Sequence, residues 1–167
     1  VVAELVRLHQ AAGLPLKTLH MGADELPRGA WAQSPAAQAA MARLKLADTK
    51  ELWNHFYSRV DAILGKHGVT AAGWEELGTR TVKMRGQDRQ IPNPHFAGRP
   101  HPLYVWNNLD SSADLAYRLA NAGRDVVLAP ATHTYFDMAH NRNPEEPGTN
   151  WAAYVELDTL FGYVPFD

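Results

Sequence analysis

Two acidic side chains, Asp24 and Glu25, stand next to each other in the segment HMGADELPRGAW, residues 20–31, directly after a short apolar run. Carboxyl groups suit general acid–base work, in which one delivers a proton to a leaving oxygen while another orients or offsets a charged group. Neighbouring residues on a strand point to opposite faces. An adjacent pair therefore cannot easily flank a glycosidic bond as the separated nucleophile and acid of an ordinary retaining glycosidase. With Glu25 as proton donor and Asp24 beside it, the nucleophile has to come from outside the pair. The plain alternative is a pair of solvated loop charges, which is what adjacent acids most often are.

Other residues could join such chemistry. Trp74 and Trp106 end short apolar runs, where an indole offers a flat apolar wall, although large aromatics more often fill cores. Tyr135 and Asp137 follow a further run; a buried tyrosine with a satisfied hydroxyl and a turn aspartate are their plain readings. His20 lies within a candidate strand and reads as a hydrogen-bonded structural histidine. His95, His101, His133 and His140 sit on separate segments without the tight spacing of zinc ligands, so no metal is expected. Glu75-Glu76 and Glu145-Glu146 read as surface charge, with Glu75 close enough to Trp74 to reach the same ligand. No glycine-rich phosphate turn follows a strand, and no cofactor is expected.

The elements that must position these groups are readable from periodicity and capping. Leu5, Leu8, Ala11 and Ala12 share a helical face ahead of Gly13. Residues 16–21 form a run that suits a strand buried on both faces. Ser34-Pro35 starts an Ala-rich helix to about Leu46, and Asp48 with Glu51 forms a capping-box pattern before Leu52, Phe56, Val60, Ile63 and Leu64. A second strand ends at Trp74; residues 78–102, polar and dotted with proline, read as a long loop. A third strand covers residues 103–108, Asp110 caps a helix through Leu115 and Leu119 that Gly123 stops, and residues 126–129 make a fourth strand. Asn150 is expected to cap a last helix carrying Trp151, Tyr154, Val155 and Leu157.

Strands alternating with helices predict an α/β fold with a parallel sheet, and a partial (β/α)8 barrel is favoured over a nucleotide-binding sheet. Barrel chemistry gathers at the carboxyl ends of the strands, which is where Asp24, Glu25, Trp74, Trp106, Tyr135 and Asp137 fall. A full barrel needs about 250 residues and eight strands. This chain has 167 residues.

Composition narrows the classes further. Apolar residues make up 46% and charged residues 20%, the balance of an ordinary globular protein. The formal net charge is −2, and the scattered lysines and arginines leave no footprint for nucleic acid. No window approaches the ~20 apolar residues of a membrane span, and the amphipathic N-terminus does not read as a signal peptide. Without cysteine there is neither disulfide nor thiolate ligand, which leaves the compartment open.

Taken together, the motifs match a known family. HMGADE resembles the H-x-G-[AG]-D-E signature of family 20 glycoside hydrolases, the β-N-acetylhexosaminidases, and the continuation through Ala30-Trp31 to Ser34-Pro35 is similar to the bacterial chitobiase branch. Gly73-Trp74-Glu75-Glu76 resembles the strand-five tryptophan motif, Val105-Trp106 the strand-six tryptophan, and Tyr135-Phe136-Asp137 the strand-seven Y-x-D. Residues 144–148, PEEPG, and Trp151 follow as the family's loop usually does.

The resemblance implies a substrate that brings its own nucleophile. In this family the 2-acetamido oxygen attacks the anomeric carbon to form an oxazolinium intermediate, an exception to two-carboxylate hydrolysis. Glu25 would protonate the leaving oxygen and then deprotonate water. Asp24 would hold the acetamido N–H, and Tyr135 would donate its hydroxyl to the acetamido oxygen. Trp74 and Trp106 would wall the sugar, and Asp137 would bind a hydroxyl. The implied substrates are N-acetylhexosamine glycans or chitooligosaccharides.

The family's strand-one arginine and last-strand tryptophan and glutamate have no counterpart here. Residues 1–167 are accordingly expected to be a single partial catalytic domain, from the third to the seventh helix of the barrel. The expected activity is retaining β-N-acetylhexosaminidase; the alternative is an inactive half barrel with a structural or weak carbohydrate-binding role. A half barrel exposes its edges, so a homo-oligomer is expected.

Overall fold

Parallel strands joined through helices make up the α/β fold of the computed structural model, which describes residues 1–27 and 29–165. The chain divides into two units, Val1–Leu77 and a second beginning at Gly78.

In the first unit, α1 (Val2–Ala11) leads to β1 (Thr18–His20), which pairs in parallel with β2 (Thr70–Trp74) in the register Thr18 with Thr70 through His20 with Ala72. Met21 N–H extends the pairing by donating to Ala72 O at 2.8 Å. The α1 face differs from expectation. Val2 and Val6 pack against the core of Leu64, Val69 and Ala71, whereas Leu8, Ala11 and Ala12 are exposed. β1 is also not buried on both faces: Leu19 turns to that core and its neighbours Thr18 and His20 are exposed, the alternation of a half-covered strand. β2 is the buried member, with Ala71, Ala72 and Gly73 enclosed.

The two connecting helices start where their caps predict. α2 (Pro35–Leu44) has Ser34 Oγ accepting from Ala37 N–H at 3.4 Å and closes on Lys45 in the left-handed region, φ 56°. α3 (Thr49–Gly65) has Asp48 Oδ1 accepting from Lys50 and Glu51 N–H, both at 2.9 Å. Glu51 reaches back to Ala47 N–H at 2.6 Å, a capping box displaced outward by one residue.

The second unit opens with a correction. Residues 78–102 are no long loop: β3 (Thr79–Met84) and β4 (Gln87–Pro92) form an antiparallel hairpin, followed by a 3-10 turn at Pro94–Phe96. Arg85 and Gly86 turn it with φ of 51° and 82°, the paired left-handed residues whose twist matches flanking strands. β5 (Leu103–Val105) pairs in parallel with β6 (Val126–Leu128). Between them, α4 (Leu115–Asn121) starts later than expected, because Asp110 belongs to a separate 3-10 turn, Asp110–Ser112. Asp114 occupies the cap position but spends its carboxylate on Arg118 Nε at 2.9 Å and Arg89 Nη2 at 3.0 Å.

One turn, α5 (Ala131–Thr134), follows β6, and the last helix, α6 (Leu157–Phe161), is much shorter than predicted. Asn150 does not cap a helix; its side chain donates to Tyr154 hydroxyl at 3.0 Å. Val155 N–H donates to Ala139 O at 3.0 Å and Ala139 N–H to Thr149 O at 2.6 Å. Backbone groups used in that way are not free for a helical ladder. The core of this unit gathers Phe96, Leu103, Leu115, Leu119, Ala131 and Met138, all nearly inaccessible to solvent.

Candidate active site

The acidic doublet sits just past the carboxyl end of β1, on backbone that leaves the strand at once. Gly22, Ala23 and Glu25 all have positive φ, at 71°, 87° and 50°. Strand alternation thus does not govern Asp24 and Glu25, and both side chains are exposed. Non-glycine residues in this region are strained and persist where the surroundings over-determine them, which happens preferentially at functional sites. Here the surroundings are visible. Trp74 N–H donates to Gly22 O at 2.8 Å, His20 Nδ1 accepts from Gly22 N–H at 3.3 Å, and the His20 ring meets the Trp74 indole edge-on at 5.2 Å. The first unit therefore ties the backbone of the turn that carries Asp24 and Glu25 to His20 and Trp74.

Electrostatics add a residue that the sequence did not single out. Burial pushes the Tyr57 phenol up, and the charges of Asp24 and Glu76 push it the same way, so this α3 side chain lies in the field of Asp24. Tyr57 lies in an aromatic group with Trp53 at 4.4 Å and Phe56 at 5.1 Å between ring centroids. Burial pushes the His20 imidazole down, partly opposed by the Asp24 charge. That desolvation comes with the Trp74 contact, although the residue as a whole is exposed.

The second unit brings together Trp106, Tyr135 and Trp151. Trp151 lies edge-on to both partners, with centroids 5.9 Å from Trp106 and 5.9 Å from Tyr135. Trp106 follows β5, and its carbonyl accepts from Ala131 N–H at 3.0 Å, tying the indole to the start of α5, whose last turn delivers Tyr135. Asn108 Nδ2 reinforces that join by donating to Thr132 Oγ1 at 2.6 Å. Trp151 is 48% exposed. In sequence it served only as a landmark of the motif; its aromatic neighbours are remote along the chain. Asp137 is exposed, and its carbonyl accepts from Thr149 N–H at 2.9 Å.

Other expectations need correction. Glu75 is not surface charge: it is fully buried in the 3-10 turn Glu75–Leu77 after β2. His101 is packed into the second unit, 2% exposed and 5.9 Å from the Phe96 ring. His133 instead faces Tyr163, 4.9 Å away, and shares a 2.7 Å hydrogen bond with Thr132 Oγ1.

Comparison with known proteins agrees with the motifs. The glycosyl hydrolase family 20 catalytic domain matches residues 1–166. A β-hexosaminidase of Vibrio furnissii is 34% identical over 93% of this chain and 22% of its own length. β-hexosaminidase B of Pseudoalteromonas piscicida is 33% identical over 99% of this chain and 20% of its own. The chain thus spans about a fifth of these relatives. The crystal structure of the Vibrio harveyi family 20 exo-β-N-acetylglucosaminidase in complex with N-acetylglucosamine matches with a TM-score of 0.70 and 35% identity, over 98% of this chain and 23% of that one. By motif order, family match and fold, the chain belongs to the catalytic domain of glycosyl hydrolase family 20.

Proposed function

We propose that the chain carries the acid–base centre of a retaining β-N-acetylhexosaminidase that releases terminal N-acetylglucosamine or N-acetylgalactosamine by substrate assistance. The observation that supports this best is the strained left-handed turn that carries Asp24 and Glu25 past the carboxyl end of a parallel strand and is tied to Trp74 through the Gly22 carbonyl. In this reading Glu25 protonates the glycosidic oxygen as the acetamido oxygen closes on the anomeric carbon, and then takes a proton from the water that opens the oxazolinium ring. Asp24 holds the acetamido N–H and offsets the positive charge that grows on it. Tyr135 donates to the acetamido oxygen, Trp74 and Trp106 bury the sugar's apolar surface, and Asp137 takes a hydroxyl. Trp151, packed edge-on to Trp106 and Tyr135, joins the sugar-binding aromatics.

The same reading assigns β1, β2, β5 and β6 to strands four to seven of a (β/α)8 barrel and residues 1–167 to a single partial catalytic domain. One observation favours a second reading for the 167-residue chain by itself. Both carboxylates are exposed, and proton transfer in the transition state gains most where water is excluded. The chain alone would then be an inactive or weakly sugar-binding half barrel.

Hydrolysis of an aryl N-acetyl-β-glucosaminide distinguishes the two. Turnover by the chain that Glu25→Gln lowers about 100-fold or more supports catalysis by the chain itself. Binding of a thiazoline mimic of the intermediate without turnover supports the second reading. Full turnover in Glu25→Gln overturns the acid assignment.

A further inference from the structure

We propose that His20 is a positioning residue: as a neutral hydrogen-bond acceptor it holds the left-handed turn from which Asp24 and Glu25 project, and it locks that turn to the Trp74 indole. The proposal rests on the reading of the doublet as the acid–base centre. Both backbone polar groups of Gly22 are engaged. Its N–H goes to His20 Nδ1 at 3.3 Å, and its carbonyl accepts from Trp74 N–H at 2.8 Å. An imidazole nitrogen that accepts this N–H carries no proton itself, which assigns the ring proton to Nε2.

Space around Gly22 is tight on two sides. A Cβ on Gly73 would come within 2.9 Å of Gly22 O, and a Cβ on Gly22 would lie 3.3 Å from Asp24 Oδ1. The Asp24 carboxylate is therefore folded back over the residue that His20 anchors. Ala23 at φ 87° and Glu25 at φ 50° occupy backbone states that alanine and glutamate do not favour. An external hold is needed, and the His20 acceptor with the Trp74 donor supplies it. Core packing does not explain this histidine, because the residue is exposed while its ring stands edge-on to Trp74 at 5.2 Å. The neutral ring fits the partial desolvation that pushes its proton affinity down against the opposing Asp24 charge. The other titratable groups of this corner are Glu25 on the same turn, Glu75 and Glu76 after β2, and Tyr57 on α3, which feels the charges of both Asp24 and Glu76.

Asparagine and leucine at position 20 separate an acceptor from mere bulk. An asparagine carbonyl reaches the N–H two residues on, as in an Asx turn, whereas leucine fills space without accepting. The full chain, labelled with 15N, is compared with H20N and H20L by backbone and imidazole NMR and by titration with the thiazoline mimic. We expect an unprotonated Nδ1 in the unaltered chain. In H20L the Gly22–Glu25 amide signals move, Gly22 amide exchange speeds up about tenfold, and thiazoline affinity falls about tenfold, the effect of one lost hydrogen bond. H20N stays within about threefold of the unaltered chain on both measures.

A protonated Nδ1, unmoved amides in H20L, or full thiazoline affinity in H20L overturns the proposal. Should H20L fail to fold, H20N decides, since moved amides or lost affinity there overturns it as well. If the unaltered chain binds no thiazoline, substrate binding by the chain itself fails, and the tautomer and amide signals still decide the role of His20.

Discussion

The tightest constraints on single residues lie where glycine is forced by a neighbour rather than by its own φ. At Gly73 an added methyl would press on the backbone carbonyl of Gly22, 2.9 Å away, and so displace the turn carrying Asp24 and Glu25. Gly73→Ala should cost about 1–3 kcal/mol in chemical denaturation, the range for overpacking, and should lower thiazoline affinity beyond any loss seen at a remote site. At Gly78 the added methyl would clash with Leu103 of β5, which destabilises the second unit. A lowered denaturation midpoint in Gly78→Ala would show that clash.

His20 also makes a prediction about pH. Its folded form favours the neutral ring, so its contribution is present above the ordinary histidine value of about 6.5 and is lost as pH falls through that value toward the lower folded one. Unfolding free energy should therefore drop more on acidification through this window in the unaltered chain than in His20→Asn. Equal slopes would show that His20 does not contribute.

Individual elements can be tested through their ends. α3 begins at a cap in which Asp48 accepts two backbone N–H groups and Glu51 answers from inside the helix. Asp48→Ala should cost about 1 kcal/mol, measured as a shift in the denaturation midpoint. The β3–β4 hairpin turns on Arg85 at φ 51°, a region that arginine occupies at a cost and asparagine visits readily. Arg85→Asn should raise stability by up to about 1 kcal/mol, since Asn-Gly is a preferred pair for this turn. A fall in stability would mean that the arginine side chain holds the hairpin in some other way. α4 illustrates the competition between roles: Asp114 stands at the cap position, yet its charge pairs with Arg89 and Arg118 and joins β4 to the helix.

On the scale of the whole molecule, the apolar surface is the leading feature. Neither α1 nor α2 has a fully buried residue, despite their amphipathic sequences. In the second unit Phe136 is 71% exposed, Leu157 65% and Phe161 82%. Soluble monomers rarely leave so many large apolar side chains uncovered, and such surfaces seek partners. The chain is therefore expected to associate with itself, giving a mass in light scattering that rises with protein concentration. A constant monomer mass would exclude self-association. No helix of the described residues is long and apolar enough to cross a membrane.

What the residues determine by themselves is mostly short in range. Ser34-Pro35 and Asp48 with Glu51 announced their helices because a cap is a set of hydrogen bonds within a few residues. The order of the motifs around Asp24, Trp74, Trp106 and Tyr135 was enough to indicate the family. Strand neighbourhoods at residues 16–21, before Trp74, at 103–108 and at 126–129 are legible too, although the first, third and fourth are shorter in the structure. The hairpin escaped notice because its strands are polar, and only the partner across the ladder makes them strands. Asn150 and Tyr154 looked like a helix until Ala139, distant in sequence, claimed the Val155 amide. The left-handed turn at Gly22–Glu25 needs Trp74 to hold it, and the meeting of Trp151 with Trp106 and Tyr135 needs the chain to fold back. Those outcomes belong to tertiary structure, because backbone strain and aromatic packing are settled by groups that local propensity cannot bring together.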